Sequence, residues 1–70
     1  MDPKEIKKLE AFFRRQFKNP AIVVKAHPRK KDMSEVYIGE DFLGPIYRET
    51  DDGETSWNFQ MAILEIDLED

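Results

Sequence analysis

The sequence predicts an α+β domain in which one N-terminal amphipathic helix packs on an antiparallel sheet of three to four strands, in the order α-β-β-β-β. Three observations carry this reading. Apolar residues recur at helical spacing near the N-terminus, at Ile6, Leu9, Phe13 and Phe17. From residue 21 onward the pattern changes to short alternating runs rich in branched and aromatic side chains. Glycine, proline and acidic clusters separate those runs and read as turns.

The helix is predicted over 3–18. Asp2 is placed to cap it, Pro3 suits the first helical position, and Glu5 stands where a capping box wants an acid. Phe12 widens the apolar stripe, and Lys4, Lys7, Lys8, Arg14, Arg15 and Lys18 fill the rest of the circumference. Asn19 precedes Pro20, and a residue before proline resists helical geometry, so the helix stops there.

Residues 21–26 read as the first strand, with Ile22 and Val24 on one face and Val23 and Lys25 on the other. His27 to Asp32 is a basic loop around Pro28. Residues 35–38 form the second strand, Gly39-Glu40-Asp41 a turn in which glycine supplies a positive φ, and 42–48 the returning strand. Pro45 donates no ladder hydrogen bond, so that strand is bent, bulged or at an edge there. Asp52-Gly53 signals the next hairpin. Trp57, Phe59, Met61 and Ile63 then alternate with Ser56, Asn58, Gln60 and Ala62, which predicts a half-buried strand running on to Ile63. The phase slips at Leu64, after which Leu64, Ile66 and Leu68 alternate with Glu65, Asp67 and Glu69. The slip implies a bulge, or a segment whose apolar side faces something else; a final helical turn over 61–64 is the weaker alternative. The expected core is Ile6, Leu9, Phe13, Phe17, Ile22, Val24, Val36, Ile38, Ile46, Trp57, Phe59, Met61 and Ile63.

Seventy residues make one domain, with a stability of about 3–10 kcal/mol. Such a small domain gains from association. The chain has no cysteine, which argues for a reducing compartment and excludes thiol chemistry and cysteine-bound zinc. The charged N-terminus is unlike a signal peptide, and no apolar run approaches the roughly 20 residues of a membrane span, so a cytoplasmic protein is expected. Charge is unevenly divided. Residues 1–31 hold ten Lys/Arg and three Asp/Glu, a balance of +7, whereas residues 32–70 hold one Arg and twelve acids, a balance of −11. This polarity either neutralises itself within the fold or steers association.

Four stretches together resemble a family of short bacterial proteins, the domain of unknown function family 3126: Asn19-Pro20-Ala21-Ile22, the basic Pro28-Arg29-Lys30-Lys31-Asp32, Glu35-Val36-Tyr37-Ile38-Gly39 and Trp57 to Leu64. The resemblance covers nearly the whole chain. It implies a standalone bacterial cytoplasmic protein and carries no activity, cofactor or catalytic residue.

Function is bounded mainly by what is missing. The sequence shows no nucleophile–histidine pair, metal-ligand spacing or glycine-rich phosphate loop. An enzyme, a metal and a cofactor are therefore not expected, and the lone His27 reads as a loop residue. The favoured expectation is a protein-interaction module that pairs with itself as a homodimer, or with another protein. One helix covers one sheet face, leaving Val23, Tyr37, Leu43 and Tyr47 on the other. Leu64, Ile66 and Leu68 would complete the interaction surface as a strand continuation or a docking tail. The alternative is a nucleic-acid-binding domain. Its anion-binding face would be Lys7, Lys8, Arg14, Arg15, Lys18, Arg29, Lys30 and Lys31, with Tyr37 and Tyr47 as stacking rings. Twelve acids in the second half oppose it.

Overall fold

Asp2 starts the helix as expected: its carboxylate accepts the Lys4 N–H at 2.8 Å, and Pro3 follows as the first helical residue. In the computed structural model, which describes residues 1–69, helix α1 spans Pro3–Phe17. It ends on Lys18 in the left-handed conformation (φ 53°), and Asn19 then closes a turn by accepting the Ala21 N–H.

Four strands follow: β1 (Ile22–Ala26), β2 (Met33–Ile38), β3 (Asp41–Asp51) and β4 (Glu54–Phe59). They form one antiparallel sheet in the order β1-β2-β3-β4, so each strand pairs with its neighbour in sequence. The predicted α-β-β-β-β architecture is therefore the one observed. Both short turns use positive φ where expected, at Gly39 (60°) and at Asp52 and Gly53 (50° and 80°). Strand β3 is nearly twice as long as β2. The Arg48 N–H still donates to the Asp32 carbonyl at 2.8 Å, and beyond it Glu49 to Asp51 pair with β4 alone and form a two-stranded ribbon.

The core lies between α1 and one face of the sheet. Phe13, Ile22, Val24, Val36 and Ile46 are buried, and Met1, Ile6, Leu9, Ile38, Leu43 and Phe59 pack around them. The Phe13 ring meets Phe59 edge-on with centroids 5.4 Å apart, which joins the helix stripe to the last strand. Ser34 is fully buried among these residues, and its hydroxyl donates to the Met1 sulfur at 3.0 Å.

Several expected core positions lie elsewhere. Strand β4 ends at Phe59 rather than Ile63. The Gln60 N–H still donates to the Pro45 carbonyl, and the Gln60 carbonyl then crosses the sheet face above Gly44. A Cβ on Gly44 would lie 1.9 Å from that oxygen, so only glycine admits the crossing. Beyond it Met61 and Ile63 are exposed, and the turn of 3₁₀ helix η1 forms at Glu65–Leu68, later than the alternative over 61–64. Phe17 is exposed because it sits on the last turn of α1, past the sheet's cover. Trp57 points toward the helix but stays 41% exposed, because α1 is displaced toward β1.

The pairing of β2 with β3 shifts register between Val36 and Tyr37: Val36 opposes Gly44 while Tyr37 opposes Phe42. Leu43 is the extra residue of this bulge and turns into the core. Its expected place on the far face is taken by Phe42, which packs edge-on against Tyr37 at 5.5 Å.

Candidate functional site

Helix α1 opens a concavity on one flank because it is displaced toward β1 on the other. Glu10 and Arg14 hold the helix there: a Glu10 carboxylate oxygen accepts the Val24 N–H at 3.0 Å, and Arg14 Nε donates to the Ile22 carbonyl at 2.8 Å. The same two side chains pair with each other at 3.2 Å. On the opposite flank, α1 and the β3–β4 pair stand apart and leave an open groove of about 680 Å³. Its helix wall carries Lys4, Lys8 and Phe12, its sheet wall Arg48, Trp57 and Phe59, and its floor Leu9, Phe13 and Ile46. The lining is mainly apolar, with basic groups along the helix rim.

Glu5 organises the sheet end of this groove. One carboxylate oxygen accepts from Arg48 Nη1 at 2.9 Å, and the other accepts the Trp57 indole N–H at 2.6 Å. Arg48 also pairs with Asp32 at the end of the basic loop. That hydrogen bond pushes the Arg48 guanidinium above its usual pKa; burial opposes the shift and the Glu5 charge adds to it. Arg48 therefore stays charged at every working pH. Glu5 was placed by sequence as a helix-cap acid and Trp57 as core, and their meeting required the fold: position 5 and position 57 carry no mutual sequence signal.

The C-terminal segment forms the second feature. Met61, Ile63, Leu64, Ile66 and Leu68 are between 50% and 74% exposed, a run of five large apolar side chains in eight residues. Within it, Asp67 accepts the Leu64 N–H at 2.9 Å and Leu64 accepts the Asp67 N–H at 2.9 Å, which fixes the η1 turn.

The other predicted surface residues are distributed as follows. Val23, Tyr37 and Tyr47 are half-buried on the far face, where the Lys25 ammonium covers the Tyr37 ring at 4.8 Å. Leu43 is in the core, as described, and Leu64, Ile66 and Leu68 belong to the exposed tail. The basic set is not gathered into one patch. The Met1 ammonium donates to the Lys31 carbonyl, which puts the 29–31 loop beside the start of α1, near Lys4. Arg14, Arg15 and Lys18 lie at the other end of the helix, roughly 15–20 Å away at 1.5 Å per residue. Arg14 is occupied by Ile22 and Glu10, and Arg15 lies over the Phe12 ring at 5.8 Å. His27 serves its own loop, with Nδ1 accepting the N–H groups of Arg29 and Lys30 at 3.1 and 3.0 Å. No cluster of His, Cys, Asp and Glu among the described residues has metal-site geometry. No helix among them is long and apolar enough to cross a membrane.

Neither a curated protein nor a solved structure matches this chain. Residues 5–67, from the Glu5 hub through the η1 turn, match the family described as Protein of unknown function (DUF3126), and with nearly its whole length aligned the chain belongs to that family.

Proposed function

We propose that this protein is a non-enzymatic interaction module that self-associates, most simply as a two-fold dimer, through its C-terminal segment. The single observation behind the reading is the run Met61 to Leu68, whose large apolar side chains face solvent on a chain small enough to gain from added burial. The far sheet face is the weaker candidate surface, because the Lys25 ammonium covers the Tyr37 ring there and Phe42 packs edge-on against it. The proposed setting is the cytoplasm, which suits a chain without cysteine.

Charge supports the same reading. The ion pairs found among the described residues are Arg14–Glu10, Arg48–Glu5 and Arg48–Asp32. None joins a cation of residues 1–31 to an acid of residues 32–69, so the two halves keep their opposite fields at the surface, where they steer encounter between copies.

Light scattering or sedimentation equilibrium of the intact chain over a wide concentration range tests the proposal. The expected mass is that of two chains, falling to one in the double variant Ile66→Asp, Leu68→Asp, whose positions are exposed and do not support the fold. A single-chain mass for the wild type at every concentration removes the proposal.

A further inference from the structure

We infer that the groove between α1 and β4 receives residues 61–69 of a second copy of the chain, so that two copies exchange C-terminal segments reciprocally. This rests on the self-association reading above and gives it a specific receptor.

The direction of the chain is the first argument. Trp57 lies opposite Arg48 and Phe59 opposite Ile46, and the Gln60 carbonyl then sits over Gly44, two residues further along β3. The segment thus turns across the sheet face at Gly44, away from the Trp57 end of β4. The groove lies the other way, from Phe59 back toward Trp57 and Glu5. A segment entering its own groove would have to reverse at once, within Met61-Ala62-Ile63-Leu64, which holds no glycine or proline to make the turn. A second copy, related by a two-fold axis, can present its segment to this groove without any reversal.

Charge is the second argument. Lys4 and Lys8 stand on the helix rim and take part in none of the ion pairs found among the described residues. The acids already in the groove are engaged: Asp2 caps the Lys4 N–H, and Glu5 holds Arg48 and Trp57. The incoming segment carries Glu65, Asp67 and Glu69 between its apolar residues. Its apolar side chains fit the lining of Leu9, Phe12, Trp57 and Phe59, and its acids meet the two lysines.

Length is the third. From Lys4 to Phe12 the helix wall runs about 12 Å at 1.5 Å per residue. Residues 61–64, extended, reach about 13 Å, and the η1 turn adds about 8 Å at 2.0 Å per residue. The segment covers the groove in full.

A charge exchange on the full-length chain tests the pairing. One variant carries Lys4→Glu and Lys8→Glu, and a second carries Glu65→Lys and Glu69→Lys. All four positions are exposed, and circular dichroism checks that each variant is folded. Each alone opposes like charges and is expected to weaken its homodimer by about tenfold or more. In an equimolar mixture both grooves meet segments of opposite charge, so the two-chain mass returns. Trp57, the one tryptophan, reports on the groove, and its emission should shift to shorter wavelength as the dimer forms. Variants that dimerise as tightly as the wild type overturn the inference while leaving self-association standing. Two monomeric variants that stay monomeric when mixed also overturn it. So does a change in Trp57 emission in the tail variant at single-chain mass, which would put the segment in its own groove. A wild type that never dimerises removes this inference and the proposed function together.

Discussion

The two outer strands of the sheet are treated in opposite ways. Strand β1 is closed by the helix: Glu10 accepts the Val24 N–H, Arg14 donates to the Ile22 carbonyl, and the edge offers little to another chain. At β4 no other element among the described residues bonds the outer backbone edge, and the helix stands back to leave a groove lined with exposed aromatic rings. The contrast follows from the residues on the two flanks of α1. The flank toward β1 carries a carboxylate and a guanidinium four residues apart, which lock onto backbone groups. The flank toward β4 carries Lys4 and Lys8, whose flexible charged ends extend into water, and Glu5, which bonds side chains of Trp57 and Arg48 and no backbone group of the strand edge.

The contrast can be broken or sharpened by substitution. Phe13→Ala should have the largest effect, because this ring is buried and ties the protected side to Phe59 on the open side. A loss of about 3–5 kcal/mol in urea denaturation is expected, which would unfold much of the population. Gly44→Ala comes next. The new Cβ meets the Gln60 carbonyl, and either the segment swings away or the sheet is strained by about 1–3 kcal/mol. NMR shifts concentrated in residues 60–68, and not in β1, would show that the open side alone is affected. Glu10→Ala strips the cover from β1 and leaves the Val24 N–H unpaired, at a cost of about 1–2 kcal/mol. Faster amide exchange at Val24 is the specific reading. Trp57→Phe should do least to stability, about 0.5–1.5 kcal/mol for the lost indole hydrogen bond to Glu5, because the ring is already 41% exposed. A loss above 3 kcal/mol would mean that the open side is as tightly packed as the closed one.

The helix, the strand order and both tight turns were legible in the sequence, because they depend on local signals: a cap, a 3.6-residue period, a two-residue period, and glycine where φ is positive. What failed was local pattern extended past its partner. Met61 and Ile63 continue the alternation of Trp57 and Phe59 without a break, yet β3 offers them no pairing once the chain has crossed Gly44. A glycine inside a strand is itself a sign of close backbone approach, and Gly44 stands beside Pro45, the stronger local signal for an irregular strand. The same neighbourhood explains the exchange of Leu43 and Phe42, since one extra residue in a bulge turns every side chain behind it to the other face. The groove was not legible at all. It depends on how far α1 is pulled toward β1 by Glu10 and Arg14, and a helical wheel places those two merely among the polar residues.

The overhang of the β3–β4 hairpin has a dynamic consequence. Between Glu49 and Ser56 the ribbon has two strands, no third strand beside it among the described residues and an acidic tip at Asp51, Asp52 and Glu54. An isolated pair of strands is marginal in water, so transient opening should start at the tip and unzip toward the body, halting at Arg48, whose N–H is held by the Asp32 carbonyl. Each such excursion would loosen Trp57, which faces Arg48 at the base of the ribbon, from its bond to Glu5, and so widen one wall of the groove while Arg48 and the floor stay in place.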